Sequence, residues 1–148
     1  MRSGALICAV VAGATLTGCA GMRVEPVPLT AFRCDKKVDC AITVSVRDCV
    51  ISVDRPDVVM KDRDLLIRWE LDEAAIDAKY RFDKESGVAL KASDPDDQFY
   101  DKGPKSNGLQ FHWRDKNRNY REYPYEINVF RKDTGAKCPK LDPRIIND

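Results

Sequence analysis

Apolar side chains recur at every second position through most of the chain beyond residue 40. The clearest run covers 65–71, where apolar residues such as Ile67 and Trp69 alternate with charged ones such as Arg68 and Glu70. A period of two is typical of a β-strand with one buried face. Runs of the same kind predict further strands at 41–46, 49–53, 58–60, 80–82, 88–90, 109–113 and 123–129.

Helix-forming signals are confined to one short segment. Residues 72–78 could form about two helical turns, with Asp72 as the N-terminal cap. Residues 93–108 hold two prolines and two glycines and predict a long loop, and the tail beyond Gly135 carries no strand prediction. About seven short strands separated by turns predict an all-β fold. We expect one antiparallel β-sandwich domain over 34–148, with at most one short helix.

The N-terminus has the pattern of a secretion signal. Arg2 precedes an apolar run at 5–16, and small residues follow at the end of that run. The run is shorter than the roughly 20 residues that a membrane-spanning helix needs, which favours a signal peptide over a permanent anchor helix. We therefore predict that residues 1–18 are removed from the mature protein.

The tetrapeptide Leu16-Thr17-Gly18-Cys19 resembles the lipobox of bacterial lipoproteins. The resemblance implies cleavage before Cys19 and fatty acylation of its sulfur and amine, so that several acyl chains anchor the protein almost permanently. Ala20 rather than Asp follows the cysteine, which by the same resemblance implies the bacterial outer membrane. Residues 19–33 would then form a short lipidated tether, with the domain in the periplasm.

Four cysteines remain for structural use once Cys8 leaves with the signal peptide and Cys19 carries lipid: Cys34, Cys40, Cys49 and Cys138. An even number of cysteines in an oxidising compartment predicts two disulfides, with three connectivities open. A Cys40–Cys49 bridge is the least compatible with one extended strand between them. A bridge to Cys138 would close a loop of roughly 90 to 100 residues and contribute about 4–5 kcal/mol in the chain-entropy model.

Two segments resemble strands of cupredoxin-like domains. Residues 51–69 contain a proline-bearing strand, a polar turn and a strand that ends near Trp69, and residues 123–129 are similar to the final strand of that family. The resemblance implies a cupredoxin-like or immunoglobulin-like sandwich. A blue-copper centre needs two His and a Cys, whereas His112 is the only histidine in the chain. No CxxC pair indicates a zinc site either, so we expect neither a metal nor another cofactor.

Charge balance excludes the strongly basic classes of protein. The chain has 25 Lys and Arg against 24 Asp and Glu, and Arg2 is the only charged residue in 1–18, so the mature chain carries 24 of each sign. A neutral domain has no general attraction for nucleic acid or for an anionic surface. We therefore predict no nucleic-acid partner.

Cations and aromatic rings alternate locally near residues 112–125. A predicted partner surface, for an envelope protein or a glycan, consists of His112, Arg114, Lys116, Arg118 and Arg121. Interleaved cations and rings can bind sugars and other ligands. The simpler interpretation is a solvated hairpin whose aromatic residues, Trp113, Tyr123 and Tyr125, belong to the core. In that interpretation the side chain of His112 points outward.

The acidic segment 94–101 is predicted to be a solvated loop. Counted from Asp94, an EF-hand calcium loop requires Gly at position six and Glu at position twelve. The chain has Phe99 and Lys105 there. No nucleophile elbow, phosphate loop or dinucleotide-binding fingerprint is present. The sequence therefore indicates no catalytic residue.

The predicted outer-membrane location and the lack of a catalytic motif together favour a non-catalytic binding or assembly module of the cell envelope. The mature chain also resembles small proteobacterial lipoproteins, which implies no mechanism. Two alternatives stay open. An inhibitor of a host or envelope hydrolase would need a protruding loop, such as 93–108 or 114–119. A carboxylate-dependent hydrolase would need two carboxyl groups roughly 5–10 Å apart in a cleft.

Overall fold

The computed structural model describes residues 30–94 and 96–148. The predicted signal peptide, the lipobox with Cys19 and the tether before Thr30 lie outside the described residues. The described part contains twelve strands, one α-helix and one 3-10 turn. They are β1 (Phe32–Cys34), β2 (Cys40–Arg47), β3 (Val50–Val53), β4 (Asp57–Met60), β5 (Leu65–Leu71), α1 (Glu73–Asp77), β6 (Tyr80–Phe82), β7 (Val88–Leu90), β8 (Phe99–Lys105), the 3-10 turn Ser106–Gly108, β9 (Gln110–Asp115), β10 (Arg121–Ile127), β11 (Val129–Arg131) and β12 (Arg144–Asn147).

Two five-stranded sheets and a two-stranded ribbon make up the described fold. Sheet I has the strand order β1-β4-β12-β10-β7, sheet II has the order β3-β2-β5-β9-β8, and β6 pairs with β11 in the ribbon. The prediction of an all-β, sandwich-like fold with at most one short helix is confirmed. The sheets are mixed rather than wholly antiparallel, because β1 and β12 run parallel to β4, and β2 runs parallel to β5.

The strands outnumber the predicted seven partly because one long run is divided. The run at 123–129 breaks at Asn128 into β10 of sheet I and β11 of the ribbon. Asn128 donates its backbone N–H to the Gly87 carbonyl at 2.8 Å and its side-chain amide to the Ser86 carbonyl at 2.6 Å. These bonds take Asn128 out of the ladder, so the chain changes its partner strand there.

The predicted loop at 93–108 is wrong over much of its length, because Phe99–Lys105 forms β8. This strand lies at the edge of sheet II, and its register with β9 shifts between Tyr100 and Gly103. Proline and glycine are tolerated at such positions, since an edge strand at a bulge need not use every backbone N–H. Turn-forming residues, including Pro104, therefore concealed a strand.

A further strand absent from the sequence prediction is β12. Arg144–Asn147 lies between β4 and β10 inside sheet I. Both Ile145 and Ile146 are buried, with 0% and 1% of their surfaces exposed, so both faces of the strand are covered. A strand buried on both faces has a short apolar run in place of an alternation. For that reason the period-two alternation of apolar residues did not predict β12.

Large aromatic side chains fill the space between the two sheets. Trp69 and Trp113 of sheet II pack edge to face with each other and with Tyr125 of sheet I, with ring centroids 5.2 to 6.1 Å apart. The Trp69 indole N–H donates to the Tyr125 hydroxyl at 3.1 Å. Phe99 and Tyr123 extend this cluster at a centroid distance of 5.0 Å. The predicted core positions Trp113, Tyr123 and Tyr125 are confirmed as buried.

The described residues form two disulfides, one short-range and one long-range. Cys34 pairs with Cys40, and Cys49 pairs with Cys138, so the disfavoured Cys40–Cys49 bridge does not form. The second bridge joins residues 89 positions apart, and closing such a loop contributes about 4–5 kcal/mol in the chain-entropy model. The first bridge joins β1 of sheet I to β2 of sheet II. Strand β1 begins at Phe32, shortly before the predicted domain boundary.

Helix α1 forms where the sequence predicted it, behind an aspartate cap. Asp72 accepts a hydrogen bond from the Ala75 N–H at 2.8 Å. The same carboxylate accepts from the Ser45 hydroxyl at 2.6 Å and from the Arg47 guanidinium at 2.8 Å. These donors, with Arg47 first, lower the pKa of Asp72 to about 2. One carboxylate therefore both caps α1 and attaches it to β2.

Candidate functional site

A basic concave surface lies beside the β6–β11 ribbon. Arg81 is paired with Phe130 across the ribbon, which places both side chains on one face. The Lys132 N–H continues the pairing by donating to the Lys79 carbonyl at 2.9 Å, so Lys132 follows Phe130 on that face. Phe82 points the other way and is buried. The outer face of the ribbon is the floor of a cleft of about 430 Å³, here called the basic cleft.

The wall of the basic cleft is the tight turn between β8 and β9. Ser106, Asn107 and Gly108 all have positive φ, at 50°, 56° and 80°. A Cβ at Gly108 would lie 3.3 Å from the Phe82 carbonyl oxygen, so the turn packs closely on β6. Glycine suits this position both for its backbone conformation and for the close approach. The turn thereby holds Lys105 beside the ribbon.

Four cations line the basic cleft: Arg81, Lys84, Lys105 and Lys132. None of the four forms an ion pair within residues 30–94 and 96–148. The Arg81 guanidinium donates to the neighbouring Tyr80 carbonyl at 2.5 Å, which orients the group without neutralising it. No Asp or Glu of the described residues lines the cleft. Clustered like charges in a concave surface give a positive local potential although the mature chain is neutral overall.

Asp83, which lies between Arg81 and Lys84 in the sequence, is engaged elsewhere. Its Oδ1 accepts the N–H groups of Glu85 and Ser86 and the Ser86 hydroxyl, each at 3.0 Å. These hydrogen bonds, with the Ser86 N–H first, lower the pKa of Asp83. Its Oδ2 lies 4.0 Å from the Lys137 ammonium. The carboxylate therefore closes its own turn and forms no ion pair with Lys84.

The basic cleft combines the groups that bind an anion with an apolar floor. Its volume falls within the range of small-molecule pockets, about 300 to 1,000 Å³. Lysine ammonium groups act as point charges for phosphate, and the Arg81 guanidinium can hold two oxygens at once. The half-buried rings of Phe130 and Pro104 supply apolar contact. An anion attached to an apolar body suits this arrangement.

The first residue of the predicted partner surface, His112, faces outward from sheet II as expected. It is half-buried between two core aromatic residues of β9, and its Nε2 lies 3.2 Å from Gln110 Oε1. Burial first, and then nearby Lys105 and Arg68, lower the pKa of His112. The imidazole is therefore predominantly neutral at pH 7 and adds no charge to a binding surface.

Arg114 and Lys116 of the predicted partner surface have acidic or carbonyl partners of their own. Arg114 donates to the Asp64 carbonyl at 3.2 Å, and its Nε lies 4.0 Å from Asp101. The Lys116 ammonium binds Asp97 at 2.9 Å. These cations are therefore compensated within the described chain, in contrast to those of the basic cleft.

Arg118 lies in the β9–β10 turn and Arg121 begins β10, and both are exposed. The Arg118 N–H donates to Gln98 Oε1 at 2.9 Å, and Arg121 opens β10 opposite Asn147 of β12. The predicted partner surface is thus divided between the outer face of sheet II, the β9–β10 turn and sheet I. The five residues do not form one concave site.

In the acidic segment predicted as a loop, the Asp94 carboxylate binds the backbone at the start of β8. Asp94 accepts the N–H groups of Gln98 and Phe99 at 2.8 and 2.9 Å, which leads the chain into β8. Asp97, which follows in the same segment, pairs with Lys116. Among the described residues, no three His, Cys, Asp or Glu side chains converge into a group that could hold a metal ion.

A buried polar cluster under the β9–β10 turn was missed by sequence reasoning. Asp115 and Asn147 have no exposed surface, and Gln98 is 1% exposed. Asp115 Oδ1 accepts the Asn117 N–H at 2.8 Å and the Asn147 side-chain amide at 3.2 Å. Its Oδ2 has no partner among the described residues, and burial raises the pKa of Asp115 to about 6. The alternation of β9, which puts Asp115 in phase with Trp113, was the available signal.

The basic cleft was also missed, and the sequence carried little to reveal it. Its cations come from β6, the turn after β6, the end of β8 and the residue after β11. No spacing rule connects these four segments, because the ribbon and the turn bring them together only in the folded chain. The nearest signal was the Asn107-Gly108 pair, which predicts a tight turn.

None of the helices in the described part of the chain has the length and hydrophobicity needed to cross a bilayer. No protein-family model matches the chain, and no curated protein is significantly similar to it. Function is therefore inferred from the geometry of the described residues and from the motifs of the sequence.

Proposed function

We propose that this chain is a lipid-anchored protein of the bacterial cell envelope whose β-sandwich is a non-catalytic binding module. The lipobox-like Leu16-Thr17-Gly18-Cys19 supports the anchor. The Cys34–Cys40 and Cys49–Cys138 disulfides support an oxidising compartment such as the periplasm. An anchor confines the domain to a surface layer and raises its effective concentration toward envelope partners.

The basic cleft is the observation that carries the binding role. Four cations without ion pairs among the described residues converge on one concave surface of a neutral domain. Keeping like charges together opposes folding slightly through their repulsion. An acidic envelope component bound there would relieve this repulsion, so we assign the partner to this surface rather than to the β9–β10 turn.

The inhibitor and hydrolase alternatives have less support from the geometry. An inhibitor requires a protruding loop, but much of 93–108 is β8, paired with β9. In the second segment, 114–119, the Asn117 amide donates to the Met60 and Asp62 carbonyls at 3.1 and 3.3 Å, which holds the turn against the domain. Asp115, whose carboxyl group has a raised pKa, is fully buried and out of reach of a polymeric substrate, so this residue does not support a hydrolase.

Fatty-acid labelling tests the anchor. Cells that express the full chain are grown with radioactive palmitate, alongside cells expressing Cys19→Ser. We expect label in the wild-type chain and none in the variant, because the cysteine sulfur is the acylated atom. Equal incorporation into both chains would contradict the lipobox and, with it, the proposed outer-membrane location.

Partner capture tests the binding role of the basic cleft. The anchored full chain is crosslinked in intact cells and recovered in detergent, together with a Lys84→Glu/Lys132→Glu variant. A Lys36→Glu/Lys37→Glu variant is the matched control, because it makes the same charge change on exposed residues outside the cleft. We expect at least about fivefold less partner with the cleft variant only. Equal recovery by all three chains would remove the cleft from the proposed function.

A further inference from the structure

We infer that the basic cleft recognises a dianionic phosphate monoester carried on an apolar body. This inference rests on the proposed function, because it names the chemical group that the cleft of the binding module would take. The shared chemistry could be presented by a soluble phosphoester or by the head group of an anionic lipid.

The number and type of cations favour phosphate over a carboxylate. Three of the four are lysines, Lys84, Lys105 and Lys132, which act as compact point charges. A planar carboxylate is best recognised by the paired N–H groups of arginine, and Arg81 is the only arginine among the described residues that line the cleft. A phosphate monoester carries about −1.5 to −2 charge at pH 7. One such group can therefore interact with several converging ammonium groups at once.

The floor of the cleft favours a ligand that is more than inorganic phosphate. Phe130 lies in register with Arg81, so both side chains emerge on the same face of the ribbon, and both residues line the cleft. A ligand held by Arg81 would place the atoms next to its phosphate against the Phe130 ring. Burying apolar area there adds free energy that a bare anion cannot gain.

The walls restrict the size of the group that enters. The 3-10 turn Ser106–Gly108 approaches β6 closely, with only 3.3 Å between a Cβ at Gly108 and the Phe82 carbonyl. The resulting cleft of about 430 Å³ suits a head group or small molecule better than an extended acidic protein surface. The four cations also enter the cleft from different segments of the chain. This arrangement suits one compact anionic group better than a long anionic polymer.

Calorimetric titration of the full chain in neutral detergent tests this inference. The probes are phenyl phosphate, benzoate, inorganic phosphate, and the dihexanoyl forms of phosphatidic acid and phosphatidylcholine. We expect phenyl phosphate or dihexanoyl phosphatidic acid to bind at least about tenfold more tightly than benzoate, inorganic phosphate and dihexanoyl phosphatidylcholine. Preference for phenyl phosphate identifies a soluble phosphoester as the source, and preference for phosphatidic acid identifies a lipid head group.

Charge-neutral variants connect the binding to the cleft. Lys84→Gln/Lys132→Gln should weaken binding of the preferred probe at least about tenfold, whereas the matched Lys36→Gln/Lys37→Gln variant should change it less than about twofold. Equal affinity for all probes, or equal losses in both variants, would overturn the inference. Suppose that the titrations overturn the inference. If the Lys84→Glu/Lys132→Glu variant nevertheless recovers less partner in the capture experiment, only the assigned ligand class is wrong. If that variant recovers as much partner as the wild type, the proposed function fails as well.

Discussion

Two regions of the molecule each present four cations but use them differently. The first is the β9–β10 turn with the adjoining ends of its strands, which carries Arg114, Lys116, Arg118 and Arg121, and the second is the basic cleft. In the first, Lys116 binds Asp97 and Arg114 lies near Asp101, so two of the four cations have acidic neighbours, whereas Arg118 and Arg121 form no ion pair among the described residues. In the second, Arg81 and Lys132 stand without ion pairs among the described residues, as do the other two cations. The number of charges is therefore a poor guide to a binding surface. Whether the charges already have partners decides which region can attract an anion.

The same comparison separates structural from functional use. The β9–β10 turn lies over the buried Asp115 and is fixed by Asn117, so its residues hold neighbouring segments together. The side chains of Lys84 and Lys132 are exposed and contact no acidic partner in the described chain. Substitutions in the turn should consequently affect stability most, and substitutions in the cleft should affect binding most.

The largest expected loss of stability comes from Asn117→Ala in the β9–β10 turn. The variant loses the amide that donates to Met60 and Asp62, and it puts a Cβ without polar compensation at φ 43°. We expect the free energy of unfolding to fall by about 2–4 kcal/mol in urea titration with the disulfides intact. Asn117→Gly, which relieves the backbone but not the lost amide, should cost about 1 kcal/mol less. A loss below about 0.5 kcal/mol in the Ala variant would contradict the anchoring role.

A pH-dependent effect should follow at Asp115. Its pKa is about 6 in the folded chain against 3.8 for the ordinary group, so the folded state binds more protons than the unfolded state between these values. Stability from this group is full below pH 4 and falls as the pH rises to about 6, by up to about 3 kcal/mol. Asp115→Asn should flatten this slope and be the more stable chain at pH 8, as measured by urea titration at several pH values.

Parallel pH profiles for wild type and Asp115→Asn would contradict this assignment. Asp72 supplies the opposite case for the same experiment, because its pKa is lowered to about 2. A carboxylate whose pKa is lowered by folding stabilises the folded chain at pH values above its ordinary pKa. This stabilisation is lost as the pH falls through the pKa of the folded state. The loss caused by Asp72 should therefore appear between about pH 4 and pH 2, below the window of Asp115.

A smaller loss of stability is expected on substitution of Gly108 in the wall of the basic cleft. Gly108→Ala forces a Cβ to within 3.3 Å of the Phe82 carbonyl at a positive φ, and we expect it to destabilise the chain by about 1–2 kcal/mol. Gly135→Ala is the matched control, since Gly135 also has a positive φ, 72°, and nothing lies within 4 Å of its Cβ. The control should change the thermal midpoint by less than the Gly108 variant. Equal shifts would mean that the turn does not pack on β6 as described.

The smallest stability effect should come from the cations of the cleft. Lys84→Ala and Lys132→Ala remove exposed side chains without ion pairs in the described chain, so the free energy of unfolding should change by less than about 0.5 kcal/mol. Removal of mutual repulsion could even raise it slightly at low salt. A loss above about 1 kcal/mol in chemical denaturation would show that these lysines hold the fold and would erase the contrast with the β9–β10 turn.

Local patterns of the sequence were enough for much of the fold. The alternation around Trp69, the Asp72 cap and the even set of structural cysteines each depend on neighbours in sequence or on composition, and the structure confirms the strand, the helix and the two disulfides. The buried aromatic positions followed from the same alternation, as Trp113 and Tyr125 illustrate. Such features need no knowledge of which strands are neighbours.

Features that depend on distant pairing were not accessible. β8 tolerates Pro104 because it is an edge strand, and edge position is a property of the whole sheet. β12 hides its strand character because both of its faces are covered. The basic cleft and the burial of Asp115 arise in the same way, since each is produced by segments that meet only after the two sheets and the ribbon have formed.

The place of β12 has a consequence for the timing of folding. Sheet I cannot close before Arg144–Asn147 arrives between β4 and β10, although β4 ends at Met60. Pairing across so long a separation is slow compared with forming hairpins. For a chain exported through the inner membrane as we propose, the emerging polypeptide would stay incompletely folded until this strand follows.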